Sequence, residues 1–233
     1  MKKLIKQILP QAMIDFCTSP SLLFKSTKSV FTETYSRNRW NGRQSRSGTG
    51  SDLNETSVLI DRLPEVLNSL EVQSMLDIPC GDFNWMQHVK MESINYLGAD
   101  IVEELIAKNS KQYTNATRRF QVLDLTKDKL PKVDLIFCRD CLVHLWYSLI
   151  EKAINNVIES KSKYVIFTTF TSVSQNKNIL TGSWRPLNLS IAPFSFPDPV
   201  YLIDELYGEL TGDRRFKKSL GVWKVDQCAS FKL

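Results

Sequence analysis

The chain has 233 residues, of which 42% are hydrophobic and 24% are charged, a composition typical of a globular protein with one hydrophobic core. Its formal net charge is +5, and the basic residues are scattered along the sequence, which argues against a dedicated nucleic-acid-binding protein. No apolar run approaches the roughly 20 residues that a membrane-spanning helix needs.

Residues 1–20 place apolar side chains at helical spacing opposite lysines, which predicts a basic amphipathic helix. Such a helix either contacts an anionic membrane surface or a partner, or covers the core of its own domain, and the sequence leaves both alternatives open. Because no signal-peptide pattern is present, we expect a cytoplasmic protein; under the first alternative, residues 1–20 would contact the inner face of the membrane. The sequence does not indicate an oligomeric state.

A polar, glycine-rich loop is predicted at residues 36–51. After it, Asp52 and Glu55 have the spacing of a capping box, which predicts a helix over residues 56–70. We therefore divide the chain into an N-terminal helical extension with its polar loop, residues 1–50, and a main domain, residues 51–233.

Beyond residue 70, strand-like apolar segments alternate with helical patterns, which indicates a parallel sheet covered by helices on both faces. The predicted fold class is therefore α/β, a doubly wound, Rossmann-like sheet of seven strands whose last two form an antiparallel hairpin. The predicted strands are 74–78, 95–99, 119–123, 133–138, 163–170, 201–206 and 219–225, and the predicted helices include 102–113 and 141–158.

Acidic residues follow four successive predicted strands. Ligands of doubly wound sheets bind outside the carboxyl ends of the strands, so these side chains are expected to meet at one edge. Each acid alone could be a helix cap, but four at equivalent positions predict a binding site. They are the stretch Asp77-Ile78-Pro79-Cys80-Gly81-Asp82, then Asp100, Asp124 and the pair Arg139-Asp140.

The stretch from Asp77 to Asp82 resembles the first motif, D-x-G-x-G-x-G, of class I S-adenosylmethionine-dependent methyltransferases, in its D-x-P-C-G variant. The resemblance covers about residues 74–170. Pro79 and Phe83 replace two of the glycines, whereas Gly81 is retained where a side chain would collide with the cofactor. No pyrophosphate has to be held, so the loss of two glycines favours a methyl donor over a dinucleotide.

The resemblance implies S-adenosyl-L-methionine as cofactor. Asp77 would face its cationic amino end, backbone N–H groups of the turn at residues 80–83 would hold its carboxylate, and Asp100 would bind the ribose hydroxyls. The expected cofactor-binding residues are Asp77, Pro79, Cys80, Gly81, Asp82, Phe83, Trp85, Asp100, Ile101, Asp124, Leu125 and Arg139, with Ile101, Asp124 and Leu125 around the adenine and Phe83 and Trp85 as walls.

The segment RDCLVHL after the fourth strand resembles the one in small-molecule methyltransferases in which a histidine follows the strand. Asp140 and His144 are four residues apart, so on a helix that begins here they would share a face and take a proton from an acceptor hydroxyl. The alternative is that Asp140 caps the helix and His144 is structural. Both remain open.

A zinc site is not expected, although Cys138, Cys141 and His144 form a CxxC with a nearby histidine. A zinc site would need a fourth ligand, and the only other histidine is His88. The five cysteines are odd in number and irregularly spaced, which argues against a disulfide framework.

Two polar loops are predicted to form a substrate lid, with Arg43, Arg46, Trp184 and Arg185 as its substrate-binding residues. The stretches WNGRQSRSG, DIPCGDFNW and WRPLNL together resemble bacterial methyltransferases associated with glycan biosynthesis. We therefore expect O-methylation of a small-molecule or glycan-linked acceptor. The signatures of nucleic-acid methyltransferases are missing after the fourth strand. A methyltransferase acting on RNA or protein, and a cofactor-binding module without turnover, remain as alternatives.

Overall fold

The computed structural model describes residues 25–206 and 216–230, which form a seven-stranded sheet with helices on both faces. The predicted doubly wound α/β fold is confirmed. The helices are α1 (Thr27–Ser36), α2 (Leu53–Ser69), α3 (Glu103–Tyr113) and α4 (Tyr147–Glu159), and the strands are β1 (Ser74–Asp77), β2 (Asn95–Asp100), β3 (Arg118–Val122), β4 (Leu135–Cys138), β5 (Tyr164–Phe170), β6 (Tyr201–Asp204) and β7 (Lys218–Lys224).

The strand order is β3-β2-β1-β4-β5-β7-β6, with the first five strands parallel. The predicted antiparallel hairpin of the last two strands is present, but β7 inserts between β5 and β6 and is antiparallel to both. This insertion brings the beginning of β7 and the end of β6 to the edge of the sheet where β1, β2 and β4 end. Residues from these five strands therefore meet at one edge.

Both faces of the central strands are buried, which explains their continuous apolar sequences. All four residues of β4 are buried, and so are six of the seven residues of β5. The apolar stripe of α4, which includes Ile150 and Ile154, belongs to the core on one face, and that of α2, which includes Leu59 and Leu63, belongs to the core on the other. This two-sided core fixes the sheet edge that carries the site.

The first turn of α2 differs from the prediction. The helix begins at Leu53, with Asp52 at its N-cap, but the side chain of Asp52 makes no capping hydrogen bond. The capping-box prediction is therefore wrong, and Glu55 is left free for another role.

The segment after β4 also differs from the prediction of a helix over 141–158. Asp140 has a positive φ of 53°, residues 142–144 form a short 3-10 turn, and Trp146 is extended, so α4 begins only at Tyr147. Asp140 and His144 therefore do not share a face of an α-helix.

The loop at residues 37–52, here called the strap, connects α1 to α2 and lies against the main domain. Its Trp40 ring packs 5.3 Å from the ring of His144, and α1 is joined to α3 by an ion pair between Lys28 and Glu103. Part of the predicted N-terminal extension thus forms a wall of the site. The predicted amphipathic helix at residues 1–20 lies outside the described residues. Within the described part of the chain, no helix is long and apolar enough to cross a membrane.

Candidate functional site

A cavity of about 480 Å³ opens at the carboxyl ends of the strands and is covered by α1 and the strap. It brings together most of the residues that the sequence analysis selected. Predicted residues in its walls are Asp77, Pro79, Cys80, Gly81, Trp85, Asp100, Ile101, Asp124, Leu125, Arg139, Asp140, His144 and Trp184. Five predicted residues do not line the cavity: Asp82, Phe83, Arg43, Arg46 and Arg185.

The turn after β1 is shaped by Gly81. Its φ is +54°, in the left-handed region, and a Cβ atom there would lie 2.4 Å from Oγ of Ser47. The backbone N–H of Gly81 donates to Oδ2 of Asp100 at 3.3 Å, while Oδ1 of Asp100 accepts from the N–H of Val102 at 3.0 Å. The turn is thus held in place by the strap and by Asp100, the acid at the end of β2.

The two acids at the ends of β1 and β2 are both buried. Tyr96 donates its hydroxyl hydrogen to Oδ2 of Asp77 at 2.5 Å. Burial raises the pKa of Asp77 to about 8 and that of Asp100 to about 6, because a charged carboxylate is poorly solvated there. At neutral pH, Asp77 is therefore mainly protonated, whereas Asp100 is mainly ionised.

Asp82 binds the strap. Its carboxylate accepts hydrogen bonds from Oγ of Ser45 and from the backbone N–H of Arg46, both at 2.8 Å, and its own N–H donates to Oγ of Ser47 at 2.9 Å. Asp82, which was predicted to bind the cofactor, therefore links the glycine turn to the strap by hydrogen bonds.

Phe83 lies behind the glycine turn instead of forming a wall of the cavity. It is 1% exposed, and its ring centroid lies 5.3 Å or less from those of Tyr96, Tyr113 and Phe120. Of the two predicted aromatic walls, only Trp85 lines the cavity, with the guanidinium of Arg139 at 5.5 Å from its ring centroid.

Five ionisable side chains form a charged cluster at the end of the cavity beside β4 and β7: Glu55, Arg139, Asp140, Glu205 and Lys218. Oε2 of Glu205 accepts from Arg139 at 2.6 Å and lies 3.2 Å from Nζ of Lys218, which also donates to Oδ2 of Asp140 at 2.6 Å. Burial by itself would raise the pKa of Asp140, but Lys218 and Arg139 hold it well below its usual range. Asp140 therefore stays ionised.

His144 lines the cavity in its neutral form. Its Nδ1 lies 2.9 Å from the carbonyl oxygen of Ser183. Since a carbonyl can only accept, Nδ1 carries the hydrogen and Nε2 is the nitrogen that can take up a proton. Burial lowers the pKa of His144, so the ring is uncharged at neutral pH.

Aromatic side chains line the outer part of the cavity. Trp40 packs on His144 from the strap, while Phe170, Trp184 and Phe216 pack against one another with centroids about 6 Å apart. Trp184 is 48% exposed. A ligand at this end would therefore meet ring faces beside His144.

Three of the predicted substrate-binding residues lie elsewhere. Arg185 is 4% exposed, and its guanidinium donates to the carbonyls of Leu142, Leu145 and Lys177 at 2.8 to 3.1 Å. It therefore supports the turn that carries His144. Arg43 and Arg46 are exposed, and the guanidinium of Arg46 lies 5.8 Å from the ring centroid of Tyr35.

The sequence analysis missed Glu55, Ser47, Trp40 and Lys218 as cavity residues, and Glu205 as their buried neighbour. Glu55 fitted a helix-capping pattern. The rule that ligands bind at the carboxyl ends of strands points to Glu205 after β6, but it does not cover Lys218, which begins the antiparallel strand β7.

The cysteines do not form a metal site or a disulfide in the described part of the chain. Cys80, Cys138, Cys141 and Cys228 are free, and no group of three or more potential metal ligands occurs among the described residues. Burial raises the pKa of both the Cys80 and Cys138 thiols, so they remain protonated and unreactive.

No protein-family model and no curated protein matches the sequence. Solved structures do match. Magnesium protoporphyrin IX methyltransferase from Synechocystis with bound SAM has a TM-score of 0.56 at 12% identity, over 86% of this chain and 97% of that one. An S-adenosylmethionine-dependent methyltransferase from Clostridium acetobutylicum has a TM-score of 0.52 at 13% identity, over 72% and 91%.

Human N-acetylserotonin methyltransferase in complex with SAM is similar too, with a TM-score of 0.52 at 12% identity, over 85% of this chain and 60% of that one. At these identities the likeness concerns the fold. The strand order, the glycine turn after β1 and the acid at the end of β2 agree with it. The chain thus has the fold of class I S-adenosylmethionine-dependent methyltransferases.

Proposed function

We propose that the protein is an S-adenosylmethionine-dependent methyltransferase that methylates an oxygen atom of a small-molecule or glycan-linked acceptor. One observation carries this proposal: the N–H of Gly81, in the turn after β1, donates a hydrogen bond to Asp100, the acid at the end of β2, and both residues line one large cavity. The match to methyltransferase structures supports the same cofactor.

The cavity residues fit S-adenosylmethionine. The carboxylate of Asp100 is ionised at neutral pH, and its oxygens retain lone pairs for the two ribose hydroxyls. Ile101, Leu123 and Leu125 offer apolar surface for an adenine ring, beside Asp124 and Thr126. When bound, the cofactor supplies a sulfonium methyl group that is open to attack by a nucleophile.

His144 is proposed as the base. Its neutral ring, with the hydrogen held on Nδ1 by Ser183, leaves Nε2 to take the proton of an acceptor hydroxyl. Asp140 does not fit that role, because its carboxylate is paired with Lys218 and Arg139 and has a lowered pKa. Asp140 instead holds the positive side chains of Lys218 and Arg139 beside the cavity. Of the predicted catalytic pair, only His144 is therefore proposed as a base.

The acceptor is proposed to carry a hydroxyl on a ring or another compact apolar framework. Trp40, Phe170 and Trp184 supply ring faces for such a framework, and His144 is the proton acceptor next to them. Sugars and aromatic rings both pack on such faces, so the glycan-linked acceptor remains part of the proposal.

Calorimetric titration with S-adenosylhomocysteine, followed by assay of methyl transfer to hydroxyl-bearing acceptors, tests the function. The wild type should bind, and Asp100→Ala should weaken binding by about 10- to 100-fold, the range for charged hydrogen bonds. Gly81→Val should abolish binding, because a side chain there meets Ser47 and the cavity. Asp61→Ala, on the exposed face of α2, is the control and should bind normally.

Absence of binding to the wild type would exclude the cofactor. Binding without methyl transfer to any acceptor would instead favour a cofactor-binding module without turnover.

A further inference from the structure

Glu55 has an unusual position for a residue in the first turn of a surface helix. Its side chain lines the cavity, and its Oε2 atom is buried without a hydrogen-bond partner among residues 25–206 and 216–230. A buried carboxylate oxygen without a donor destabilises the protein, because it has lost its hydrogen bonds to water. A ligand that brings a donor to this point would remove that destabilisation.

The charge of the surrounding cluster favours a cationic donor. Three carboxyl groups, those of Asp140, Glu205 and Glu55, lie near the two positive side chains of Arg139 and Lys218. The cluster therefore has one excess negative charge when Glu55 is ionised. Oε1 of Glu205 is likewise buried without a partner within the described ranges. A single positive charge would balance the cluster.

Asp77 is the other acid in this part of the cavity, and it is less suited to bind a cation. Its carboxyl group accepts the hydroxyl hydrogen of Tyr96 at 2.5 Å and is almost fully buried. Oε2 of Glu55 has no such partner among the described residues; burial raises the pKa of Glu55, and the positive charges of Lys218 and Arg139 oppose that rise. The free acceptor atom at the cavity wall therefore belongs to Glu55.

We propose that Glu55 binds the α-ammonium group of S-adenosylmethionine, at the end of the cavity formed by the charged cluster. This inference rests on the proposed function. The cofactor has one ammonium group, which matches the single positive charge that would balance the cluster. If Glu55 binds the ammonium group, the amino-acid end of the cofactor lies beside β4. Its nucleoside end then lies beside Asp100 and Asp124.

The test compares two ligands in calorimetric titrations: S-adenosylhomocysteine and its analogue with the α-amino group replaced by hydrogen. In Glu55→Gln the carboxylate is lost with little change in shape. Affinity for S-adenosylhomocysteine should fall by about 10- to 100-fold, while affinity for the deaminated analogue should stay within about twofold. Glu65→Gln is the matched control, because Glu65 lies on the same helix and its side chain is 69% exposed.

Unchanged affinity of Glu55→Gln for S-adenosylhomocysteine would overturn the inference and leave the cofactor assignment intact. An equal loss for both ligands would overturn it as well, since the effect would then come from the shape of the site. If the wild type binds neither ligand, the proposed function fails, and this inference fails with it.

Discussion

At the scale of single residues, pairing and burial decide what each ionisable group can do. Asp140 and His144 are both in the cavity wall, but Asp140 is held in two ion pairs and His144 is neutral with a defined tautomer. Asp77 and Asp100 are both buried strand-end acids, yet only Asp100 is mainly ionised at neutral pH. The same residue type therefore has different chemistry at neighbouring positions.

His144→Gln should lower kcat by about 10²- to 10⁴-fold, because a hydroxyl acceptor then loses its proton acceptor. Affinity for S-adenosylhomocysteine should not change. Burial lowers the pKa of His144, so wild-type kcat should be constant near neutral pH and fall only as the pH drops through that lowered pKa. Steady-state kinetics across pH measure both effects.

The control for this variant is His88→Gln, since His88 is exposed and is the only other histidine. Turnover of His144→Gln within a few-fold of wild type would assign His144 to structure, and proximity alone would then account for the reaction.

At the scale of elements, the strap is the part that completes the site. It contributes Trp40, Ser47 and four following residues to the cavity wall, and Asp82 fixes it to the glycine turn by three hydrogen bonds. We expect a ligand under the strap to leave faster when this contact opens. Cofactor dissociation should therefore depend on Asp82, although Asp82 does not line the cavity.

Asp82→Ala removes the two bonds that its carboxylate accepts, and dissociation of S-adenosylhomocysteine should become at least about tenfold faster. Stopped-flow displacement measures that rate. Trypsin should also cleave faster after Arg43 and Arg46, which lie in the released segment. Asp61→Ala is the control, and the same dissociation rate in both variants would show that the strap does not retain the ligand.

At the scale of the whole molecule, the sheet brings distant segments to one edge. The charged cluster joins residues of α2 and β7 with residues that directly follow β4 and β6, and the insertion of β7 between β5 and β6 makes this possible. The net charge of +5 is spread along the chain, and the cavity itself contains paired charges and ring faces. This distribution suits a compact ligand better than a long polyanion.

Structured RNA should accordingly bind only weakly, with binding that disappears as salt rises from about 50 to 200 mM, as expected for non-specific phosphate contacts. Gel-shift titration at the two salt concentrations measures this. Tight binding that persists at the higher concentration would favour the alternative of an RNA methyltransferase.

The sequence by itself determined the class of fold, the positions of all seven strands to within about two residues, and 13 of the residues in the cavity wall. These features follow from local patterns: apolar periodicity marks the elements, and the ends of parallel strands meet at one edge whatever their sequence. For the same reason Asp77, Asp100 and Asp124 could be selected before the fold was known, whereas Gly81 was selected through the resemblance to the methyltransferase glycine motif.

Only the tertiary structure decided which of the charged residues face the cavity and which are already paired. Glu55 and Lys218 are more than 160 residues apart in the sequence, and no periodic pattern relates them. Arg185 has the polar character of a substrate-binding residue, but its environment is set by carbonyls of a turn about 40 residues earlier. Burial and pairing are properties of contacts between distant segments, so the chemistry of these side chains was fixed by packing.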